Sequence, residues 1–148
     1  MKKYVFPYGL RWGENGKIVS FPSISVYFYS KNQRKLSALL LIDSGAEFTL
    51  LNKKDGEFLG INLEKGKERI VRGVTGDTFR TFKHEILIEI GEEKFKIPIL
   101  FSTIDESPRV LGREGIFEKF FILFNEKSKQ TIFIIRDTDS EKKLKSIL

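Results

Sequence analysis

Leu-Ser-Ala-Leu-Leu-Leu-Ile-Asp-Ser-Gly-Ala, residues 36–46, is an apolar run that stops abruptly at an acid, a hydroxyl residue and a glycine. The apolar part, 36–42, is short enough for a strand that is buried on both faces. Asp43 would be costly to bury there as an unpaired charge. The residues after it are typical of a tight turn, so the tetrapeptide Asp43-Ser44-Gly45-Ala46 taken alone indicates a turn and no particular chemistry.

Apolar residues alternate with polar ones along most of the chain, with the period of two that is typical of half-buried strands. Near the N-terminus, for example, Ile24, Val26 and Phe28 alternate with serines and tyrosines. Turn residues separate such segments, as Asn15-Gly16 does. The pattern predicts strands over residues 8–12, 18–21, 23–29, 36–42, 82–90, 95–99, 110–111, 120–124 and 131–135.

Helix signals are few. The best candidate is residues 113–119, and a marginal helical turn is expected at 141–147. No internal repeat, low-complexity stretch or flexible linker divides the 148 residues. The sequence therefore predicts one all-β, barrel-like domain over residues 1–148, with one short helix near the C-terminal end.

The charge of the chain is positive but diffuse. There are 26 Lys and Arg residues against 20 Asp and Glu residues, which gives a formal charge of +6. The two signs alternate in segments such as 64–69, and this mixture is typical of a solvated face. The one lopsided patch, 142–145, is interpreted as a frayed terminus in solvent.

Several chemistries lack the residues that they need. There is no cysteine, which excludes disulfides and thiolate chemistry, and His84 is the sole histidine. A Ser-His-Asp triad or a histidine-rich metal site is therefore poorly supported. No segment is typical of a signal peptide or reaches the roughly 20 apolar residues of a membrane span. We expect a cytoplasmic protein with no metal ion and no other cofactor.

Two further motifs follow Asp43 along the chain. Val-Arg-Gly-Val-Thr-Gly, residues 71–76, places two glycines between predicted strands and is typical of a mobile hairpin tip. Val-Leu-Gly-Arg, residues 110–113, sets an arginine at the start of the candidate helix, where positive charge is unfavourable. That mismatch favours a specific partner for Arg113, and Glu47 is the predicted acceptor of a bidentate ion pair.

In their order and spacing, these motifs resemble those of the retropepsin-like aspartic peptidases, in the single-domain cellular form of prokaryotic type, over residues 18–136. The resemblance implies a closed acid-protease-like β-barrel with a flap hairpin, and it implies that Asp43 is the catalytic aspartate. It also implies supporting roles for three groups of residues: Ser44, Gly45 and Ala46 in the active-site loop; Arg72, Gly73, Val74, Thr75 and Gly76 in the flap; and Glu47, Leu111, Gly112 and Arg113 beside the site.

The chemistry of this family needs two carboxyl groups, and the chain contains one Asp-Ser-Gly motif. Two like charges a few ångström apart cannot both ionise, so the two groups share one proton. The ionised group takes a proton from water, and the protonated group hydrogen-bonds the scissile carbonyl. We therefore expect a homodimer in which a two-fold axis brings two copies of Asp43 together to cleave a polypeptide substrate.

Two alternatives stay open at this stage. A catalytically silent barrel of the same fold would hold an extended peptide by strand addition without cutting it. A nucleic-acid-binding β-barrel would suit the positive charge, but no stripe of aromatic and basic residues stands out and Asp43 would be unexplained. Trp12, the sole tryptophan, is expected in the core or as an interface anchor.

Overall fold

Antiparallel hairpins make up most of the chain, as the alternating pattern predicts. The structure is a computed structural model that describes residues 1–148. Its strands are β1 (Lys3–Pro7), β2 (Gly9–Trp12), β3 (Ile18–Phe21), β4 (Ser23–Tyr29), β5 (Lys35–Ile42), β6 (Thr49–Leu51), β7 (Lys67–Arg72), β8 (Thr78–Ile90), β9 (Glu93–Ser102), β10 (Val110–Leu111), β11 (Phe120–Asn125) and β12 (Gln130–Ile135). Its α-helices are α1 (Lys53–Phe58) and α2 (Thr138–Ile147).

Six strands close into a barrel, which confirms the predicted fold class. Their order is β4-β5-β10-β6-β9-β8, and pairing of β8 with β4 closes the ring. Most neighbours are antiparallel, but β10 runs parallel to β5, and β6 runs parallel to β9. β7 pairs only with β8 and forms a hairpin arm beyond the ring. Closure removes the unpaired edges that an open sheet would present.

The barrel interior holds a core of 18 buried residues. Alternate residues of each strand point inward, so Phe28 of β4, Leu40 of β5 and Ile88 of β8 are fully buried. Each such side chain stabilises the fold by about 1.5–3 kcal/mol relative to its exposure to water. Phe28 and Ile88 lie where the period-two pattern predicts the buried face.

β5 departs from its prediction on one point. The inward residue Leu40 is fully buried, but Ser37 is exposed and Leu39 is 40% exposed. The apolar run is therefore not buried on both faces, because β5 belongs to a barrel wall whose outer side is only partly covered. Along that outer side, alternate residues lead from Leu39 to Leu41 and then to Asp43.

The helices also require correction. Residues 113–119 form a series of turns and not a helix, because Gly115 has a left-handed φ of 78°. A Cβ there would lie 2.6 Å from the Ile97 side chain, so the position requires glycine. The short helix near the C-terminal end is α2, which is longer than the turn expected at 141–147. The hydrophobic pattern does not predict α1. Neither α-helix has the length and apolar character needed to cross a membrane.

The two ends of the chain meet in a separate three-stranded sheet. β1 runs antiparallel to β12, and β11 completes the sheet on the other side of β12. Phe120 and Phe133 of this sheet belong to the barrel core, with ring centroids 5.3 Å apart. β2 and β3 form a two-stranded hairpin of their own. Its predicted turn is confirmed, since Asn15 and Gly16 have left-handed φ values of 68° and 67°.

Candidate active site

Asp43 follows the last residue of β5 at the point where β10 joins the sheet. β10 runs parallel to β5, with Leu111 opposite Ile42. The Asp43 N–H donates to the Leu111 carbonyl at 3.0 Å, so pairing continues one residue beyond β5. The part-buried acid is therefore held at the end of a paired strand, which positions a side chain more accurately than a loop does.

The Asp43 carboxylate is held by its own turn and by no cation. The Gly45 N–H donates to Oδ1 at 2.9 Å, and the Ala46 N–H donates to the Asp43 carbonyl at 3.2 Å. No lysine or arginine forms an ion pair with Asp43. Its other oxygen, Oδ2, receives no hydrogen bond. The carboxylate therefore keeps acceptor sites for a water or for a second carboxyl group.

Gly112 and Arg113 brace this turn. Arg113 donates from Nη1 to the Ser44 carbonyl at 2.7 Å and from its backbone N–H to the Ala46 carbonyl at 3.0 Å. A Cβ at Gly112 would lie 2.3 Å from the carbonyl carbon of Phe48, a backbone atom that cannot give way, so only glycine fits. The motif at 110–113 therefore contacts the turn at 43–46, although the two are far apart in the sequence.

The predicted ion pair between Arg113 and Glu47 is wrong. Glu47 accepts instead from Arg69 Nη2 of β7 at 3.1 Å, in an exposed pair. No backbone N–H donates to the Ser44 carbonyl, so the Arg113 guanidinium satisfies that carbonyl. Glu47 nevertheless stays beside the site, because its carbonyl accepts the Glu114 N–H at 2.8 Å.

A second apolar cluster lies on the outer side of the barrel beside Asp43. Its buried members are Leu50, Leu100 and Val110. Residues of β5, the turn and the β7–β8 hairpin pack against them: Leu41, Ala46, Phe48, Val71 and Phe79. Leu41 and Ala46 lie on either side of Asp43 in the chain. Val71 and Phe79 pair with each other across the hairpin. The cluster therefore connects the Asp43 turn to the base of the hairpin.

The β7–β8 hairpin ends in a glycine-rich tip. The Gly73 N–H donates to the Asp77 carbonyl at 2.8 Å, and the Gly76 N–H donates to the Gly73 carbonyl at 3.0 Å. Gly76 has a left-handed φ of 89°, and Val74 is fully exposed. The residues predicted for the flap all lie at this tip or at the end of β7: Arg72, Gly73, Val74, Thr75 and Gly76. Displacement of the tip would break no pairing within the barrel.

A different carboxylate, Asp55 of α1, is buried and paired. It is 2% exposed and receives hydrogen bonds from Arg109 Nε at 2.9 Å and Nη2 at 2.7 Å. It also accepts the Asn52 N–H at 3.2 Å in the capping box that starts α1. The hydrogen bonds to Asp55 raise the pKa of Arg109, which keeps the guanidinium charged. Asn-x-x-Asp was the available signal for the cap, but nothing local indicates the distant Arg109.

His84 has a structural environment. Its Nε2 lies 2.9 Å from the Leu63 carbonyl, and its ring meets the Phe101 ring edge-on at 5.9 Å. The side chain is part-buried in β8. No group of three or more His, Cys, Asp or Glu side chains is arranged to hold a metal ion.

Comparison with known proteins defines the fold. No protein-family model matches the sequence. The crystal structure of a retropepsin-like aspartic protease from Rickettsia conorii is similar, with 20% identity and a TM-score of 0.58, over 89% of this chain and 98% of that chain. EIAV protease in complex with an inhibitor has 24% identity and a TM-score of 0.47, over 63% of this chain and 82% of that chain. The chain therefore has the retropepsin-like fold, as its motifs predict.

Proposed function

We propose that residues 1–148 form one domain of a homodimeric aspartic endopeptidase to which each subunit contributes Asp43. The observation that carries the proposal is the Asp43 carboxylate, which lies at a strand end with no cation and with Oδ2 unoccupied. A carboxylate that serves only the fold is normally paired when it is buried, as Asp55 is with Arg109. An acid held in place by backbone groups and left without a cation suits acid–base chemistry.

One copy of the chain contains no second Asp-Ser/Thr-Gly motif that could supply the other carboxyl group. Two of the remaining aspartates have structural partners, since Asp55 is bound by Arg109 and Asp137 caps α2 by accepting the Ser140 N–H at 2.8 Å. A two-fold axis is the simplest arrangement that sets Asp43 against its own copy, because a residue near such an axis meets itself. In this proposal the monomer is inactive.

The proposed reaction uses one water and one shared proton. The ionised Asp43 takes a proton from the water as the water oxygen bonds to the peptide carbonyl carbon, and the protonated Asp43 transfers its proton to the carbonyl oxygen. This gives a neutral gem-diol. The acid that is now ionised then takes a proton from one diol hydroxyl, and the acid that is now protonated gives its proton to the amide nitrogen. The C–N bond breaks in this step. The products are a carboxyl group and an amine, and the pair holds one proton again.

The apolar cluster and the hairpin would bind the substrate. Leu41 and Ala46, the part-buried residues of this cluster that flank Asp43 in the chain, provide apolar surface, which favours apolar side chains near the cleaved bond. Closure of the tip over the chain would exclude water, with Arg72, Val74 and Thr75 facing the peptide. The chemistry needs side chains and water alone, and so no cofactor. The chain has no cysteine, so a reducing cytoplasm suits it.

The second candidate function is a silent peptide-binding module. The outer edge of β7 has no strand partner, so its backbone groups are open to an extended peptide. Binding of this kind needs neither a second subunit nor an acid at position 43.

A cleavage assay separates the two functions. The wild-type chain and Asp43→Asn are incubated with a peptide library at about pH 4–6, where one of two carboxyl groups can hold a proton. We expect wild-type cleavage that a transition-state mimic of aspartic peptidases inhibits, and binding without cleavage by the variant. Cleavage by a species that sediments as a monomer would contradict the shared site. Binding without cleavage by both forms would support the silent module.

A further inference from the structure

The β2–β3 hairpin lies outside both the barrel and the three-stranded sheet. Its base is held by two hydrogen bonds, from the Tyr8 N–H to the Lys129 carbonyl and from the Gly9 N–H to Ser23 Oγ, each at 2.8 Å. A two-stranded ribbon is only marginally stable by itself in water. The stability of the hairpin therefore depends on the contacts that its two faces make.

The inner face of the hairpin lies against the outer side of β5. A Cβ at Gly9 would lie 2.8 Å from Leu39 Cδ2, so glycine permits this close approach. Arg11 and Phe21, on the same face, line a cavity of about 420 Å³ together with Leu39 and Leu41. Because alternate residues of β5 lead from these leucines to Asp43, the hairpin lies beside the strand that positions the acid.

The outer face of the hairpin carries three large apolar side chains. Leu10 is 67% exposed, Trp12 is 75% exposed and Ile18 is 60% exposed. Trp12 and Ile18 are directly opposite each other in the register, and Leu10 lies on the same face two residues before Trp12. The expectation of Trp12 in the core is thus wrong. Large apolar side chains grouped on one exposed face mark a contact surface.

We propose that this outer face, formed by Leu10, Trp12 and Ile18, packs against a second copy of the chain in the dimer. The inference rests on the proposed function, because the site with one Asp43 is incomplete without a second copy. A copy whose Asp43 comes within reach of one water must approach the side of β5 on which the hairpin lies. Symmetry then buries the same apolar face in both subunits. Burial of an aromatic anchor of this kind is typical of the centre of an interface.

Trp12 is the sole tryptophan, so its fluorescence reports on this face alone. Emission and acrylamide quenching are measured over a dilution series in which sedimentation gives the fraction of dimer. We expect the emission to move to shorter wavelength and quenching to weaken in step with dimer formation. A dimer whose Trp12 is quenched as readily as free tryptophan overturns this inference and leaves the proposed function intact. A chain that cleaves peptides as a monomer overturns both.

A double variant tests the same face without loss of the reporter. Leu10→Ser with Ile18→Ser is expected to raise the dissociation constant of the dimer by at least about tenfold. The matched control is Phe58→Ser, an exposed apolar residue of α1, which should leave the constant unchanged. Circular dichroism checks that both variants fold. Wild-type affinity in the double variant, or a Trp12 shift produced by anionic lipid vesicles with the chain still monomeric, overturns the proposal.

Discussion

Asp43 and Asp55 are two acids a short distance apart in the sequence, and the fold treats them in opposite ways. Asp55 is 2% exposed and accepts two hydrogen bonds from Arg109. Asp43 is part-buried, and one hydrogen bond from Gly45, within its own turn, is all that its carboxylate receives. The first has its charge neutralised by a distant cation, whereas the second is oriented by backbone groups and has no cation paired with it.

This difference indicates that Asp55 stabilises the fold, whereas Asp43 is the acid that is free to take part in a reaction. A buried charge without a partner would destabilise the chain, so Asp55 requires Arg109. Arg113 lies close to Asp43 but donates to the Ser44 carbonyl, which steadies the turn without neutralising the acid. In the proposed dimer, the partner that Asp43 lacks in one chain is the second Asp43.

The largest expected effect comes from Asp43→Asn. Asparagine keeps the size of the side chain and an acceptor for the Gly45 N–H, but it cannot take a proton from water. We expect the kcat/KM for a cleaved peptide to fall at least about 10⁴-fold, the upper range of general acid–base contributions. The urea midpoint and the sedimentation of the variant should match wild type. A variant that retains a tenth of wild-type activity would remove Asp43 from the reaction.

Asp55→Ala should show the reverse pattern, a loss of stability. Removing one partner of a buried ion pair typically costs 3–5 kcal/mol, and we expect about 3 kcal/mol because Arg109 stays partly exposed. Urea denaturation measures the free energy of unfolding. The matched control is Asp55→Ala with Arg109→Met, which should recover part of the loss. A change below about 1 kcal/mol in the single variant would show that the pair is not structural.

A third carboxylate, Glu93, extends the comparison. It is the first residue of β9 and forms a hydrogen bond with Tyr4 of β1. Tyr4 Oη donates to Glu93 Oε2 at 2.8 Å, and Lys2 Nζ lies 3.4 Å away. The hydrogen bond from Tyr4 and the charge of Lys2 lower the pKa of Glu93 below its ordinary 4.5. A lowered folded-state pKa contributes stability above the unfolded-state value, and the contribution disappears as pH falls through the folded-state value.

Glu93→Gln is therefore expected to lose about 1 kcal/mol of stability at neutral pH, the typical net contribution of one hydrogen bond, because glutamine keeps an acceptor for Tyr4 but lacks the charge. The difference from wild type should shrink as the solution is made acidic below the ordinary pKa of 4.5. Urea curves at neutral and acidic pH measure it. Glu92→Gln, at a more exposed neighbouring position, is the control and should show little change. A deficit that does not vary with pH would mean that packing, and not charge, is responsible.

The smallest effect is expected at Glu47. Its pair with Arg69 is exposed at both ends, and such pairs contribute between zero and about 1 kcal/mol. Glu47→Gln should therefore change the free energy of unfolding by less than about 0.5 kcal/mol, and added salt should abolish even this. A double-mutant cycle with Arg69→Gln measures the coupling. Coupling as large as the effect of Asp55→Ala would contradict this ranking of the acids.

Local pattern was enough to predict much of the fold. Alternation at Ile24, Val26 and Phe28 correctly indicated the buried face of β4, because side chains of a strand alternate whatever its neighbours are. Asn15-Gly16 indicated its turn through backbone preferences that belong to those two residues. The Asp43 turn and Gly112 were singled out by the resemblance of their motifs to the retropepsin-like family, and the structure places them together.

Three of the failures involve residues that are distant in sequence. Residues 113–119 were expected to be helical, but contact with Ile97 requires glycine in a left-handed conformation at position 115. The acceptor of Arg113 proved to be a carbonyl and not Glu47, because the nearest unsatisfied acceptor depends on how the turn docks. The outer side of β5 proved to be only partly covered, because strand composition does not reveal which segments cover a sheet.

By itself, the sequence determined the alternating strands and the single Asp-Ser-Gly turn. Only the tertiary structure decided that Asp55 is neutralised while Asp43 is not, and that Leu10, Trp12 and Ile18 share one exposed face. The physical reason is the separation along the chain over which each effect acts. Periodicity and turn preferences act between neighbours along the chain, whereas ion pairing and burial depend on which distant segments the closed barrel brings within a few ångström.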